Sequence, residues 1–318
     1  MNAVQQPDML PLRAIGLPWA NAEVKMSHIS RRHFLKAGVA AGALAGVGAL
    51  PLQAERATAT SLVTLGKSGV KVTRLAFGTG TFNGRVQRDL GQEGFTSLVR
   101  YAYDHGIRFF ETAQAYPQMQ QMLGIALKGL PRDSYVLMSK VTTDDADPQA
   151  TVDEMRRQMQ TDYVDIMLLH VQHTATWPTD SLRWQDGLSE MQYKQAIRSH
   201  GASVHGLPAL RQVPDNQWLQ IAMIRMNHKG AHMDTDDPRA HVPGNVDEVV
   251  EHVHQARKAG LGVISMKLIG EGSFTDRADR QASMRFAFQH AGVNTVTVGY
   301  KSAAEVDEAI ENVNLALA

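Results

Sequence analysis

From about Thr60 onward, short runs of β-branched, aliphatic and aromatic residues alternate with longer stretches in which apolar residues recur every three or four positions. The first pattern predicts buried strands, the second amphipathic helices. Eight strand-like runs can be counted, at 74–78, 107–111, 135–140, 164–170, 202–205, 219–227, 262–268 and 295–299. Helical spacing is clearest over 151–160, 247–259 and 303–317. Strand followed by helix throughout implies a parallel α/β architecture, and eight such units close a TIM barrel. An open doubly wound sheet would favour a G-x-G-x-x-G turn after the first strand, and the chain has none there. Gly106, Gly201, Gly260 and Gly292 each follow a helical stretch, where a left-handed C-cap is expected. The stretch 62–72, turning at Gly66–Gly69, reads as a β-hairpin able to plug the barrel bottom. The expected fold class is therefore α/β, a (β/α)8 barrel with an N-terminal β-hairpin cap.

The chain ahead of Thr60 has a different character. Ser30, Arg31, Arg32, His33, Phe34, Leu35 and Lys36 precede an Ala/Gly-rich run over 37–50, the order of a charged region followed by a weakly apolar one. The paired arginine resembles a twin-arginine signal, whose pathway exports proteins already folded. The run is too short and too poor in Leu and Ile for a membrane span. Small residues suited to cleavage occur at 52–54 and at 57–59, and both remain open. Residues 1–26 read as an extension upstream of the true start, with Met26 as the initiator, 27–59 as the signal peptide and 60–318 as the barrel. The expected location is periplasmic, or otherwise outside the membrane crossed by that pathway. The export machinery is then a partner through the leader, and no stable membrane anchor is expected.

Charge and composition narrow the partner. Thirty-two basic residues balance thirty-two acidic ones, so nothing favours nucleic acid or an anionic membrane surface. A small molecule is the expected partner. The absence of cysteine excludes thiolate nucleophiles, disulfides and Cys-ligated metal sites.

In eight-stranded barrels the working residues lie at the C-terminal ends of strands. Strand two closes on Glu111 with Tyr116 in the loop beyond, strand three closes on Lys140, and strand four on His170. A carboxylate beside a lysine keeps the ammonium charged, and that charge favours tyrosinate, so Tyr116 is expected to have a lowered pKa and to act as a general acid. A histidine N–H at the same point would orient a carbonyl.

At these residues the chain resembles the aldo-keto reductases. The string from Gly106 through Glu111, Thr112 and Ala113 to Tyr116 is similar to the family's G-x-x-x-x-D-T-A-x-x-Y signature; YVLMSKV at 135–141 and YVDIMLLH at 163–170 are similar to its lysine and histidine strands. The resemblance runs from about Val63 to the C-terminus. It implies an NAD(P)H-dependent reduction of an aldehyde or ketone, or oxidation of the alcohol. Tyr116 would be the acid/base, Lys140 its tuner, Glu111 the carboxylate behind the lysine, and His170 the carbonyl orienter. The chain departs from the pattern at Glu111, where the family carries Asp. Val204 follows Ser203 where the family shows Ser-Asn against the nicotinamide, and Met266 stands where an aromatic often stacks.

Further cofactor contacts are expected from the loops after strands seven and eight. Lys267 falls near the mouth, facing a cofactor phosphate, an acidic substrate or simply solvent. Gly270, Gly272 and Ser273 offer backbone N–H groups to a pyrophosphate. Lys301 stands at a helix N-terminus suited to a ribose 2′-phosphate, and Ser302 has capping-box spacing with Glu305. NADPH is the expected cofactor, with NADH possible. The His/Asp-rich stretch 228–241 reads as a substrate-covering loop rather than a metal site; a metal there would point to a hydrolase or lyase instead. A catalytically weak nucleotide-binding or regulatory barrel is the alternative within the same fold.

Overall fold

The computed structural model describes residues 56–144, 146–237 and 243–318. The arginine pair, the Ala/Gly run, Met26 and the 52–54 segment lie outside the described residues, as does His241. Strands β1 (Leu62–Thr64) and β2 (Lys71–Thr73) pair antiparallel, with Leu62 opposite Thr73. Eight further strands follow: β3 (Leu75–Gly78), β4 (Phe109–Glu111), β5 (Val136–Val141), β6 (Val164–Gln172), β7 (Ile197–Val204), β8 (Ile221–Arg225), β9 (Gly262–Met266) and β10 (Thr295–Gly299). They close as a barrel in the order β10-β3-β4-β5-β6-β7-β8-β9, every pair parallel.

Side chains alternate along each strand between two cores. Ala76, Phe109, Met138, Ile166, Leu168, Ile221, Met223 and Ile264 fill the barrel interior. Leu75, Phe77, Phe110, Leu137, Met167, Leu169, Ala202 and Val263 face outward and pack beneath the helices. The hairpin closes the barrel bottom as expected. Fully buried Leu65, just beyond β1, belongs to the interior core, and a β-carbon on Gly262 would stand 2.7 Å from it. That glycine lets the hairpin seat.

Gly106, Gly260 and Gly292 take the left-handed conformation expected of helix ends, at φ 92°, 82° and 68°. Gly201 does not. It lies inside β7, where a β-carbon would collide with the Ile221 carbonyl oxygen, so close strand approach is what requires glycine. The left-handed residue after the helix Leu182–Tyr193 is Gln195, at φ 62°. Strand β7 accordingly begins at Ile197 rather than at 202; its polar first half, Arg198 to His200, hides the strand from a hydrophobic pattern. Two further strands run past the residues expected to close them, β5 to Val141 and β6 to Gln172. Among the described residues no helix is long and apolar enough to cross a membrane.

Candidate active site

The loop after β4 keeps to the neighbouring strand before turning away. Thr112 N–H donates to the Met138 carbonyl (2.9 Å) and Gln114 N–H to the Lys140 carbonyl (3.0 Å), which returns Tyr116 over the lysine. Lys140 Nζ then meets three acceptors: Glu111 Oε1, the Thr112 carbonyl at 3.1 Å and the Tyr116 hydroxyl at 3.3 Å. An ammonium has three donors, so its capacity is filled. The other Glu111 oxygen accepts from Thr297 Oγ1 at 3.4 Å, a contact within reach of the longer glutamate arm.

Two glycines on the first barrel strand and its loop leave room for this arrangement. A β-carbon on Gly78 would lie 3.0 Å from Glu111 Oε2 and 2.7 Å from Thr297 Oγ1; one on Gly80 would lie 2.7 Å from the Tyr116 hydroxyl. From β6, the His170 ring meets Tyr116 edge to face, with centroids 5.5 Å apart and planes at 81°. His205, just past β7, stands 6.4 Å beyond it.

The electrostatics correct one expectation. Burial, the largest influence, raises the Tyr116 pKa; Lys140 pulls it down, Glu111 pushes it up again, and the net shift is upward. The lysine moderates the rise without reversing it. Burial, the largest single influence, also works against a charged Lys140, but Glu111 and Tyr116 together more than offset it and the ammonium is held above its ordinary value. His170 is pushed down to about 3 by burial and by the charges of Lys140 and Lys267, so it is a neutral imidazole. His205 is driven well below its ordinary value by burial first and Arg225 second. Lys267 falls to about 8 through burial, Arg225 and Lys140, with the Glu111 carboxylate working in the opposite direction; its ammonium also pairs with Glu271.

A cavity of about 500 Å³ runs from Glu111 and Tyr116 past Met266, Lys267 and Gly272 to Lys301, Glu305 and Asn312 on the helix Ala303–Leu317. Other residues expected to meet the cofactor have contacts of their own. Ser203 is fully buried, with its Oγ 3.3 Å from His205 Nε2. Gly270 makes a tight turn at φ 53°, where a β-carbon would touch Ser273 Oγ. Ser302 Oγ accepts the Glu305 N–H at 3.3 Å, and Glu305 Oε2 accepts from the Lys301 N–H at 2.8 Å. The cap is thus real, with the return bond shifted by one residue.

Several residues at this cavity escape sequence reasoning. Arg280, from the helix Arg277–Arg285, forks onto Glu308 at 2.6 and 2.8 Å and donates to the Phe274 and Thr275 carbonyls. No local spacing relates two residues so far apart. Asn312 has a buried Oδ1 with no hydrogen-bond partner. Its helical register with Glu305 and Glu308 was a usable signal. In the 228–241 stretch, Asp234 is buried and accepts from Arg225 Nε (2.6 Å) and the Gly206 N–H (2.8 Å), while Asp236 pairs with Arg211 at 2.6 Å.

Residues 74–313 match the sequence model of the Aldo/keto reductase family, and residues 28–48 match that of the TAT (twin-arginine translocation) pathway signal sequence. L-galactose dehydrogenase of Arabidopsis thaliana is 24% identical over 244 residues, covering 69% of each chain. A putative aldo-keto reductase of Pseudomonas aeruginosa shares the fold with a TM-score of 0.66 at 20% identity, over 83% of this chain and 99% of that one. An aldo-keto reductase of Klebsiella pneumoniae solved in complex with NADPH superposes with a TM-score of 0.60 at 18% identity, over 80% and 90%. A family match across most of the chain, carried on a closed eight-stranded barrel, makes this protein a member of the aldo/keto reductase family.

Proposed function

We propose that this protein is an exported NADPH-dependent reductase of aldehydes or ketones in which Tyr116 delivers the proton. The observation that carries the reading is the Lys140 ammonium, backed by Glu111 and 3.3 Å from the Tyr116 hydroxyl. A phenol whose pKa lies above its ordinary value stays protonated at neutral pH and is ready to donate to the oxygen of a carbonyl as negative charge develops there. Lys140 stabilises the tyrosinate left behind. Neutral His170 offers an N–H to the same oxygen and orients it.

The cavity suits a dinucleotide. Asn312 Oδ1 is a buried acceptor without a donor, Lys267 and Lys301 are cations along the wall, and Gly78 and Gly80 leave the floor open beside Tyr116. Met266 covers a flat ring through its polarisable thioether. When bound, the reduced nicotinamide supplies the hydride. Lys267, Gly270, Gly272 and Ser273 would hold the phosphates and Lys301 and Ser302 the adenosine end. Ser203 acts through His205. NADH is accommodated by the same groups, since Arg280 and Lys301 are paired with Glu308 and Glu305.

The twin-arginine signal fits a barrel that leaves the cytoplasm folded, with its nucleotide aboard, for the periplasm. Ala59 is fully buried: its N–H donates to Asn314 Oδ1 at 2.7 Å and its carbonyl accepts from Leu75 N–H at 2.9 Å. That supports cleavage after Ala54, since cutting after Ala59 would fall at a residue buried and hydrogen-bonded into the fold. The whole reading is tested by NADPH consumption with a panel of aldehydes and ketones, alongside NADPH titration monitored by fluorescence. Binding without turnover across the panel would overturn the reductase and favour a regulatory barrel.

A further inference from the structure

Strand β6 carries one residue more than β7 across the barrel mouth. Leu169 pairs with Ala202 and Gln172 with Val204, so three steps on β6 match two on β7, and the strand bulges at His170–Val171. Val171 absorbs the extra residue at φ 53° and is 41% exposed. A β-branched residue is an outlier there and persists only where its surroundings fix it. Ile166 and Leu168 belong to the barrel interior, Met167 and Leu169 to the outer core, so alternation turns His170 inward. In a regular strand the same alternation would turn Gln172 inward as well. The bulge instead puts Gln172 in register with Val204, a residue of the outer core. There the buried Gln172 amide folds back, and Nε2 donates to the His170 carbonyl at 2.9 Å. The Gln172 carbonyl accepts the His205 N–H at 2.7 Å. The chain is thereby pinned on both sides of Val171.

We propose that Gln172, acting through the Val171 bulge, is a positioning residue that fixes the His170 imidazole against Tyr116. The inference rests on the carbonyl-orienting role proposed for His170. The Gln172 hydrogen bond to the His170 carbonyl restrains rotation of the His170–Val171 peptide, and with it the backbone from which the ring departs. A hydrogen-bonding ring must be aimed to within tenths of an ångström to help a reaction, so a small rotation here is felt in turnover.

The test compares Gln172→Leu, which removes the donor, and Gln172→Asn, whose shorter amide falls short of the carbonyl, each alone and combined with His170→Ala. Both single variants are expected to keep NADPH affinity within about twofold while kcat falls about tenfold or more. Combined with His170→Ala they are expected to lower kcat no further, because coupled residues are not additive. Undiminished turnover in both, or a loss that persists in full without His170, overturns the proposal. A second readout needs no turnover. The His170 ring, faced by Tyr116, Lys140, Lys267 and His205, resists protonation down to about pH 3 in the native protein. By NMR it is expected to titrate at least about one unit higher in either variant, as the ring gains water. An unchanged titration overturns the positioning role whatever the fate of turnover; wild-type turnover in His170→Ala alone overturns the role of His170 instead.

Discussion

Lys140 Nζ lies 3.3 Å from the Tyr116 hydroxyl, with its remaining capacity taken by Glu111 and the Thr112 carbonyl. The lysine therefore has no spare donor for substrate, and in the proposed reaction its influence would pass through the tyrosine. Tyr116→Phe is expected to lower kcat by about 10²–10⁴-fold, the usual worth of a positioned acid, with NADPH affinity unchanged. Single-turnover kinetics and a fluorescence titration on one sample check both halves. Lys140→Met is the less clean variant, because it leaves Glu111 buried without its partner, a loss of roughly 3–5 kcal/mol in stability.

Gly80 tests the same relationship through space alone. Its missing β-carbon would lie 2.7 Å from the Tyr116 hydroxyl, so Gly80→Ala must displace the phenol from Lys140. We expect kcat to fall at least about tenfold while the thermal midpoint moves little, since a flexible ring can yield. Gly94→Ala is the control. Gly94 lies inside the helix Gly91–Asp104, where a β-carbon meets only Leu90 at 3.4 Å, so that change is expected to stabilise the protein by about 0.5–1 kcal/mol and leave turnover intact.

The contrast between these two glycines shows what a linear pattern can and cannot reveal. The barrel is legible because strand and helix periods are local, and the placing of Glu111, Lys140 and His170 on its last strand residues, Lys140 one and His170 two short of the end, follows nearly from it. Gly201 misleads because the same residue type serves a helix cap and a close strand approach, and only the partner strand distinguishes them. The bulge at Val171 has no local mark at all; it depends on a count of residues on β7. The direction of the Tyr116 shift was illegible for a similar reason. A neighbouring charge can be read from order along the barrel, whereas the burial that outweighs it is set by packing over the site.

Acid should destabilise this protein through three imidazoles. His170 and His200 are held down to about 3 and about 4, and His205 well below its ordinary value, in each case chiefly by burial. The unfolded chain binds protons at these groups near pH 6.5 and the native state does not, so stability is intact above about 6.5 and falls as pH drops toward 4. Urea denaturation at pH 7.5, 6 and 5 should give a descending series. His200 stacks on Trp218 at 4.3 Å, and neither ring touches Tyr116, Lys140 or His170, so His200→Gln should flatten part of that descent without changing kcat. A series that rises toward pH 5 would contradict the burial of neutral imidazoles.

Lys267 and Glu271 make opposite predictions for the nucleotide. Both line the cavity, both sit at left-handed φ, 66° and 54°, and they pair with one another. An anionic cofactor reaching Lys267 competes with that carboxylate. With its pKa at about 8, the lysine is charged at pH 7 and largely neutral at pH 9, so NADPH affinity should weaken across that interval. Lys267→Met should weaken binding at pH 7 about tenfold, the size of one charge-assisted contact, and abolish the pH dependence. Glu271→Gln removes the competitor and should tighten binding at pH 7 and low salt. Isothermal titration with NADPH at pH 7 and 9 for the three proteins decides the matter: if both substitutions shift affinity the same way, the pair holds the loop together and Lys267 does not meet the phosphates.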